Sequence, residues 1–84
     1  MYKVGDEVLV RFFSDVNRTY YGEVYICEIL AIEPDHSAGK NHIGLVVRTP
    51  YKVRTTNDMW FGWVKENEVL SKLSKCEVVK GANQ

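Results

Sequence analysis

The sequence predicts an all-β fold, a small five-stranded barrel, and three observations carry that expectation. Val, Ile, Tyr, Phe, Trp and Thr, which fit a pleated and half-buried surface, recur from Val4 to Val79. Apolar and polar residues alternate over short stretches with the period of two that a strand requires. Turn-forming clusters separate those stretches at regular spacing, the layout of a small barrel or sandwich. The 84 residues are enough for one compact domain. It is expected to span 1–79, with 80–84 a disordered tail.

Gly5-Asp6 reads as a turn opening the first strand, Glu7 to Phe13. Within it Val8, Val10 and Phe12 share one face, and Glu7 and Arg11 the other. Ser14 to Thr19 is a polar loop with turn formers Asp15 and Asn17. The β-rich run from Tyr20 to Glu33 follows, with Val24, Ile26, Leu30 and Ile32 in one phase and Cys27, Ile29 and Ala31 in the other. Glu28 interrupts the first phase, which predicts a bulge or strong bend near Cys27–Glu28.

Pro34 ends that run, and Asp35 to Asn41 reads as an exposed loop. Ile43, Leu45 and Val47 alternate with Gly44, Val46 and Arg48 as the next strand. After Thr49-Pro50, Tyr51, Val53 and Thr55 alternate with Lys52 and Arg54. Thr56-Asn57-Asp58 is a turn into the strand Met59 to Val64. From Lys65 onward a short helix through Val69, Leu70 and Leu73 competes with a last short strand at Glu68-Val69-Leu70. The sequence leaves the path from Ser71 open.

Eleven basic and eleven acidic side chains give a formal net charge of zero, so the global basic signal of a nucleic-acid binder is missing. No apolar run approaches the ~18 residues that span a bilayer, so no membrane association is expected. Met1 is followed by no apolar signal segment, which predicts a cytoplasmic chain with Cys27 and Cys76 as reduced thiols. Cys27, His36, His42 and Cys76 show no metal-ligand spacing, and no metal or other cofactor is expected. Gly39-Lys40 lacks the rest of a phosphate-binding loop, with Pro34 at the first Gly position and Asn41 at the Ser/Thr position. No nucleophile elbow is present, and a chain this small is expected to hold little preformed pocket, so an enzyme is not predicted.

The stretch Gly62-Trp63-Val64-Lys65-Glu66-Asn67-Glu68-Val69-Leu70 resembles the closing segment of Src-homology-3-like barrels. The resemblance implies a tight helical turn at 65–67 followed by a short final strand. Lys3-Val4-Gly5-Asp6-Glu7-Val8-Leu9-Val10 resembles the Gly-Asp-x-hydrophobic opening of those barrels and of their Tudor and KOW relatives. Only four residues precede Gly5, and no paired Trp stands near Ile43, so the proline-rich-peptide groove of Src-homology-3 domains is not implied. The Tudor and KOW layout fits better.

Two candidate surfaces follow. Trp60, Trp63, Tyr20, Tyr21 and Tyr51, with Arg48 and Arg54, are residue types that dominate protein interfaces. Trp60 and Trp63 are expected on opposite faces, so at most one belongs to the core. The competing use of these rings is to cap a small core. A Tudor-type cage for a methylated side chain would need three or four of them around one pocket. The second surface is basic, with Lys40, His42, Arg48, Lys52 and Arg54, and could track a nucleic-acid backbone. The expected function is a non-catalytic binding module, or a small regulator or inhibitor of the kind a phage or mobile element encodes. Its expected partner is a protein, with nucleic acid as the alternative. Self-association through open strand edges is a further expectation.

Overall fold

The computed structural model describes residues 2–74. Among them are seven strands and one 3-10 turn: β1 (Glu7–Ser14), β2 (Thr19–Ile32), β3 (Ser37–Lys40), β4 (Val46–Arg48), β5 (Tyr51–Thr55), β6 (Phe61–Val64), the turn Glu66–Glu68, and β7 (Val69–Lys72). The fold is all-β, as the alternation predicts. Five strands form one antiparallel sheet in the order β6-β5-β2-β1-β7, and β3 and β4 form a separate two-stranded ribbon. Among the described residues no ladder joins β6 to β7, so these pairings do not close the sheet into a barrel.

The 14-residue β2 holds the sheet together by changing partners along its length. It pairs with β1 from Thr19 to Glu28 and with β5 from Cys27 to Ile32. The register is regular at Cys27–Glu28, where the sequence predicts a bulge. The irregularities flank that point instead. One lies where Val10 faces Tyr25 but Phe12 faces Tyr21. There Gly22 adopts φ +77, a conformation that costs a residue with a Cβ, and its carbonyl accepts a 2.9 Å hydrogen bond from Arg11 Nε. The other lies between Ile29 and Ala31.

The first shifts the register by two residues and leaves the inward phase unchanged, whereas the second shifts it by one and resets which side chains face inward beyond it. Val8 and Val10 of β1, Cys27 and Ile29 of β2, Val53 of β5, Val64 of β6 and Val69 of β7 form the buried core. The buried phase of β2 is therefore Cys27–Ile29, while Ile26 and Val24, in the other phase, are exposed. Past the second bulge Ile32 turns inward and packs on the core. Phe12, Tyr25, Tyr51 and Trp60 cover its margins.

Two further segments differ from the sequence expectation. Ser37–Lys40, read as loop, is β3, and the strand expected from Ile43 begins only at Val46. Asn41 explains the shift: its Oδ1 accepts hydrogen bonds from the backbone N–H groups of Ile43 and Leu45, both at 3.0 Å. With Gly44 at φ +83, this holds a turn where alternation alone predicts a strand. At the other end, the helical turn expected at 65–67 is the 3-10 turn Glu66–Glu68, followed by the expected short strand. The sequence left open how the chain runs from Ser71. β7 continues through Lys72, and 75–84, including the predicted tail 80–84, lie outside the described residues.

The 3-10 turn is fixed by Glu68, whose side chain is 8% exposed. Its carboxylate accepts the backbone N–H of Phe13 at 2.9 Å and that of Lys65 at 2.8 Å. Lys65 reaches back to donate to the Phe13 carbonyl and lies 3.3 Å from Asp15. Buried carboxylates are tolerated when hydrogen-bonded in this way. No helix among the described residues is long and apolar enough to cross a membrane.

Candidate functional site

The β1–β2 hairpin and the loop between β5 and β6 bring four rings together. Phe12 stacks on Tyr21 (ring centroids 6.0 Å), meets Tyr25 at 6.0 Å, and meets Trp60 at 5.3 Å. Tyr25 stands perpendicular to Trp60 at 5.2 Å. These separations are contact distances between aromatic rings, so the space a methylammonium would need is filled by the rings themselves. Phe12, Tyr25 and Trp60 cap the core here, and Tyr21 alone of the four is exposed.

Thr55 sets the loop that carries Trp60. Its buried hydroxyl accepts the N–H groups of Met59 (2.7 Å) and Trp60 (3.2 Å), and Asp58 takes φ +60 to close the predicted turn. Met59 is pushed to the surface, 65% exposed. With Val24 and Ile26 it lines a depression of about 220 Å³, whose polar margin includes Glu23, Thr56 and Asn57. Val24, Ile26 and Met59 therefore make an exposed apolar patch beside the capped end of the core.

The other residues of the predicted aromatic and Arg surface are distributed elsewhere. Tyr20 packs edge-on against Phe13 (4.9 Å) and donates its hydroxyl to the Asn67 carbonyl (2.7 Å). Trp63 faces away from the core beside Lys52, as the predicted opposition to Trp60 requires, yet His36 covers it with a parallel stack at 3.7 Å. Neither Trp is an exposed anchor. His36 is held by a 2.9 Å contact between its Nδ1 and the Thr49 hydroxyl. Tyr51 and Arg48 do meet, in a groove of about 280 Å³ that Tyr2 and Pro50 also line. Burial raises the Tyr51 hydroxyl above its ordinary pKa, with smaller contributions from Glu66 and Tyr2.

The predicted basic surface is split. Lys40, His42 and Arg48 lie on the ribbon and its tip, and Lys52 and Arg54 on β5. Arg48 pairs with Asp35 at 3.3 Å, and Arg54 pairs with Glu28 at 2.6 Å and Asp58 at 3.6 Å. Lys52 lies over the exposed ring of Phe61, 5.6 Å from its centroid. Much of the cationic charge is thus answered locally.

Cys27 is fully buried, and desolvation pushes its thiol up to about 11. Among the described residues no group of three or more His, Cys, Asp or Glu is placed to hold a metal ion. The surface is more grooved than so short a chain predicts, with two open grooves of about 440 and 480 Å³.

Sequence reasoning missed Val24, Ile26 and Met59 as surface residues. Burial of Cys27 and Ile29 puts Val24 and Ile26 on the other face by alternation, and because both phases of β2 are apolar no residue type marks the exposed one. Comparison with protein-family models, with curated proteins and with solved structures finds no match to this chain.

Proposed function

We propose that this protein is a non-catalytic binding module, acting as an adaptor or small inhibitor, that engages a protein partner through the patch formed by Val24, Ile26 and Met59. The observation that carries this reading is the exposure of three large apolar side chains, Val24, Ile26 and Met59, around one depression that Tyr25 of the packed ring cluster also lines. Burying a side chain of this size in an interface contributes roughly 1.5–3 kcal/mol, so the patch is large enough to anchor a partner. A rigid aromatic base also lowers the ordering cost of binding.

A nucleic-acid surface is less well supported, because the basic residues fall in two places and both arginines are ion-paired. The strand order β6-β5-β2-β1-β7, with a 3-10 turn before the last strand, supports the Src-homology-3-like reading of the two terminal motifs. A cytoplasmic location and an origin in a phage or mobile element belong to the same proposal.

The test compares co-purification from native lysate, after nuclease treatment and at moderate salt, for the native chain, Met59→Asp and Lys52→Glu. The proposal expects one discrete protein that is lost with Met59→Asp and kept with Lys52→Glu. Recovery that disappears with nuclease, or that depends on Lys52 alone, rejects it in favour of nucleic acid.

A further inference from the structure

Three surface grooves share lining residues. The first lies between the ribbon tip and the β1–β2 turn, the second runs along β4 past the 3-10 turn, and the third lies beside Tyr2 and Tyr51. Asp15 and Asn41 belong to both the first and the second, and Arg48 and Glu66 to both the second and the third. The three therefore adjoin one another as an open surface channel, whose first two parts are about 440 and 480 Å³.

One wall of this channel is a strand edge. All three residues of β4 line it and no residue of β3 does. Among the described residues β4 is laddered to β3 alone, so its second edge is unpaired along a strand whose residues all border the channel. Such an edge is a template for an added strand. A two-stranded ribbon is also marginal by itself and gains from a third strand.

The charges along the channel are ordered. Its middle is neutralised, with Lys65 against Asp15 and Arg48 against Asp35, both at 3.3 Å. Glu66, toward the tyrosine end, and Arg18, at the far end, have no ion-pair partner among the described residues. Between them Ile43 and Leu45 are exposed, at 64% and 59%.

We propose that this channel binds an extended segment of a partner protein, added as a strand along β4, with a basic side chain at Glu66, apolar side chains over Ile43 and Leu45, and an acidic side chain at Arg18. The site shares no residue with the Val24/Ile26/Met59 patch, so either surface can fail without the other.

The experiment pans a displayed library of random twelve-residue peptides against the whole chain, then measures the enriched peptides as free peptides. The expected peptides are apolar in the middle, with Lys or Arg toward one end and Asp or Glu toward the other. Glu66→Lys and Arg18→Glu, both exposed positions, each weaken them at least tenfold with an unchanged melting midpoint. Should either variant melt early, reversing the peptide's own basic residue against the native protein replaces it and carries the same expectation. The proposal is overturned if no peptide is enriched, or if binding is indifferent to these charge reversals. It is equally overturned if bound peptide shifts the amide signals of Val24, Ile26 and Met59 and leaves those of β4 unmoved.

Discussion

Replacing Glu68 tests how the two ends of the chain are held together. Its carboxylate accepts N–H groups from Phe13 and Lys65, and the Phe13 bond joins residues 55 apart in sequence. A hydrogen bond to a charged group contributes about 1.5–3 kcal/mol, and leaving its donor buried and unpaired costs a similar amount. Glu68→Ala strands both donors. Taken against the desolvation that the carboxylate no longer suffers, the net loss is about 3 kcal/mol. A domain of this size has roughly 4–12 kcal/mol in total, so the effect is large. Glu68→Gln keeps one acceptor but turns an amide N–H₂ toward the other donor, and should lose about 1–2 kcal/mol. Glu66→Ala, in the same turn but exposed, should stay within about 0.5 kcal/mol. Urea unfolding followed by circular dichroism gives all three values, with the slope against denaturant checked for constancy. If Glu68→Ala and Glu66→Ala lie within error of each other, the buried carboxylate is not what fixes the turn to β1.

Further outcomes follow from single sites. The backbone N–H of Lys3 holds the Asp6 carboxyl below its ordinary pKa, burial opposes this, and Lys72 at 3.6 Å adds to the lowering. A lowered folded-state pKa contributes stability above the ordinary aspartate range that is lost as pH falls through the folded value. Melting temperature should therefore fall on acidification below about pH 4, and less steeply in Asp6→Asn. With its thiol pushed up to about 11 and fully buried, Cys27 should resist a thiol reagent at pH 8 in a Cys76→Ser chain until urea unfolds it; prompt labelling in the native state would contradict the burial. Gly22→Ala should cost about 1–2 kcal/mol through its positive φ alone, since an added Cβ meets nothing within 4 Å; a neutral result in thermal melts would remove the bulge from the account.

Much of the fold is legible in the sequence where side-chain alternation and burial agree. Val8 and Val10, and Val53 with Thr55, are inward as their period of two requires, and the turn after Val64 lies within one residue of the motif. β2 is where the reading fails. Its two phases are both apolar, so hydropathy cannot choose between them, and the one-residue shift at Leu30 then brings Ile32 of the other phase inward. The ribbon was obscured because Asn41 turns the chain through side-chain hydrogen bonds that leave no hydrophobic period.

The site follows the same logic. Aromatic residues stand out in the sequence as a group, but composition does not reveal which rings touch. Phe12 and Tyr25 draw Trp60 into the core margin, and His36, 27 residues away from Trp63 in sequence, covers that ring. The exposed apolar residues of the patch are Met59 and the outward phase of β2, neither of which stands out by residue type.

Photo-crosslinking from position 59 tests the central claim most directly. A photoreactive phenylalanine analogue replaces Met59 in one chain and the exposed Lys3 in a control, and both are irradiated in native lysate after nuclease treatment. The account predicts a discrete protein adduct from position 59, absent from position 3 and abolished by Ile26→Asp in the same chain. No adduct, or one equally strong from position 3, would contradict a protein-binding role for this patch.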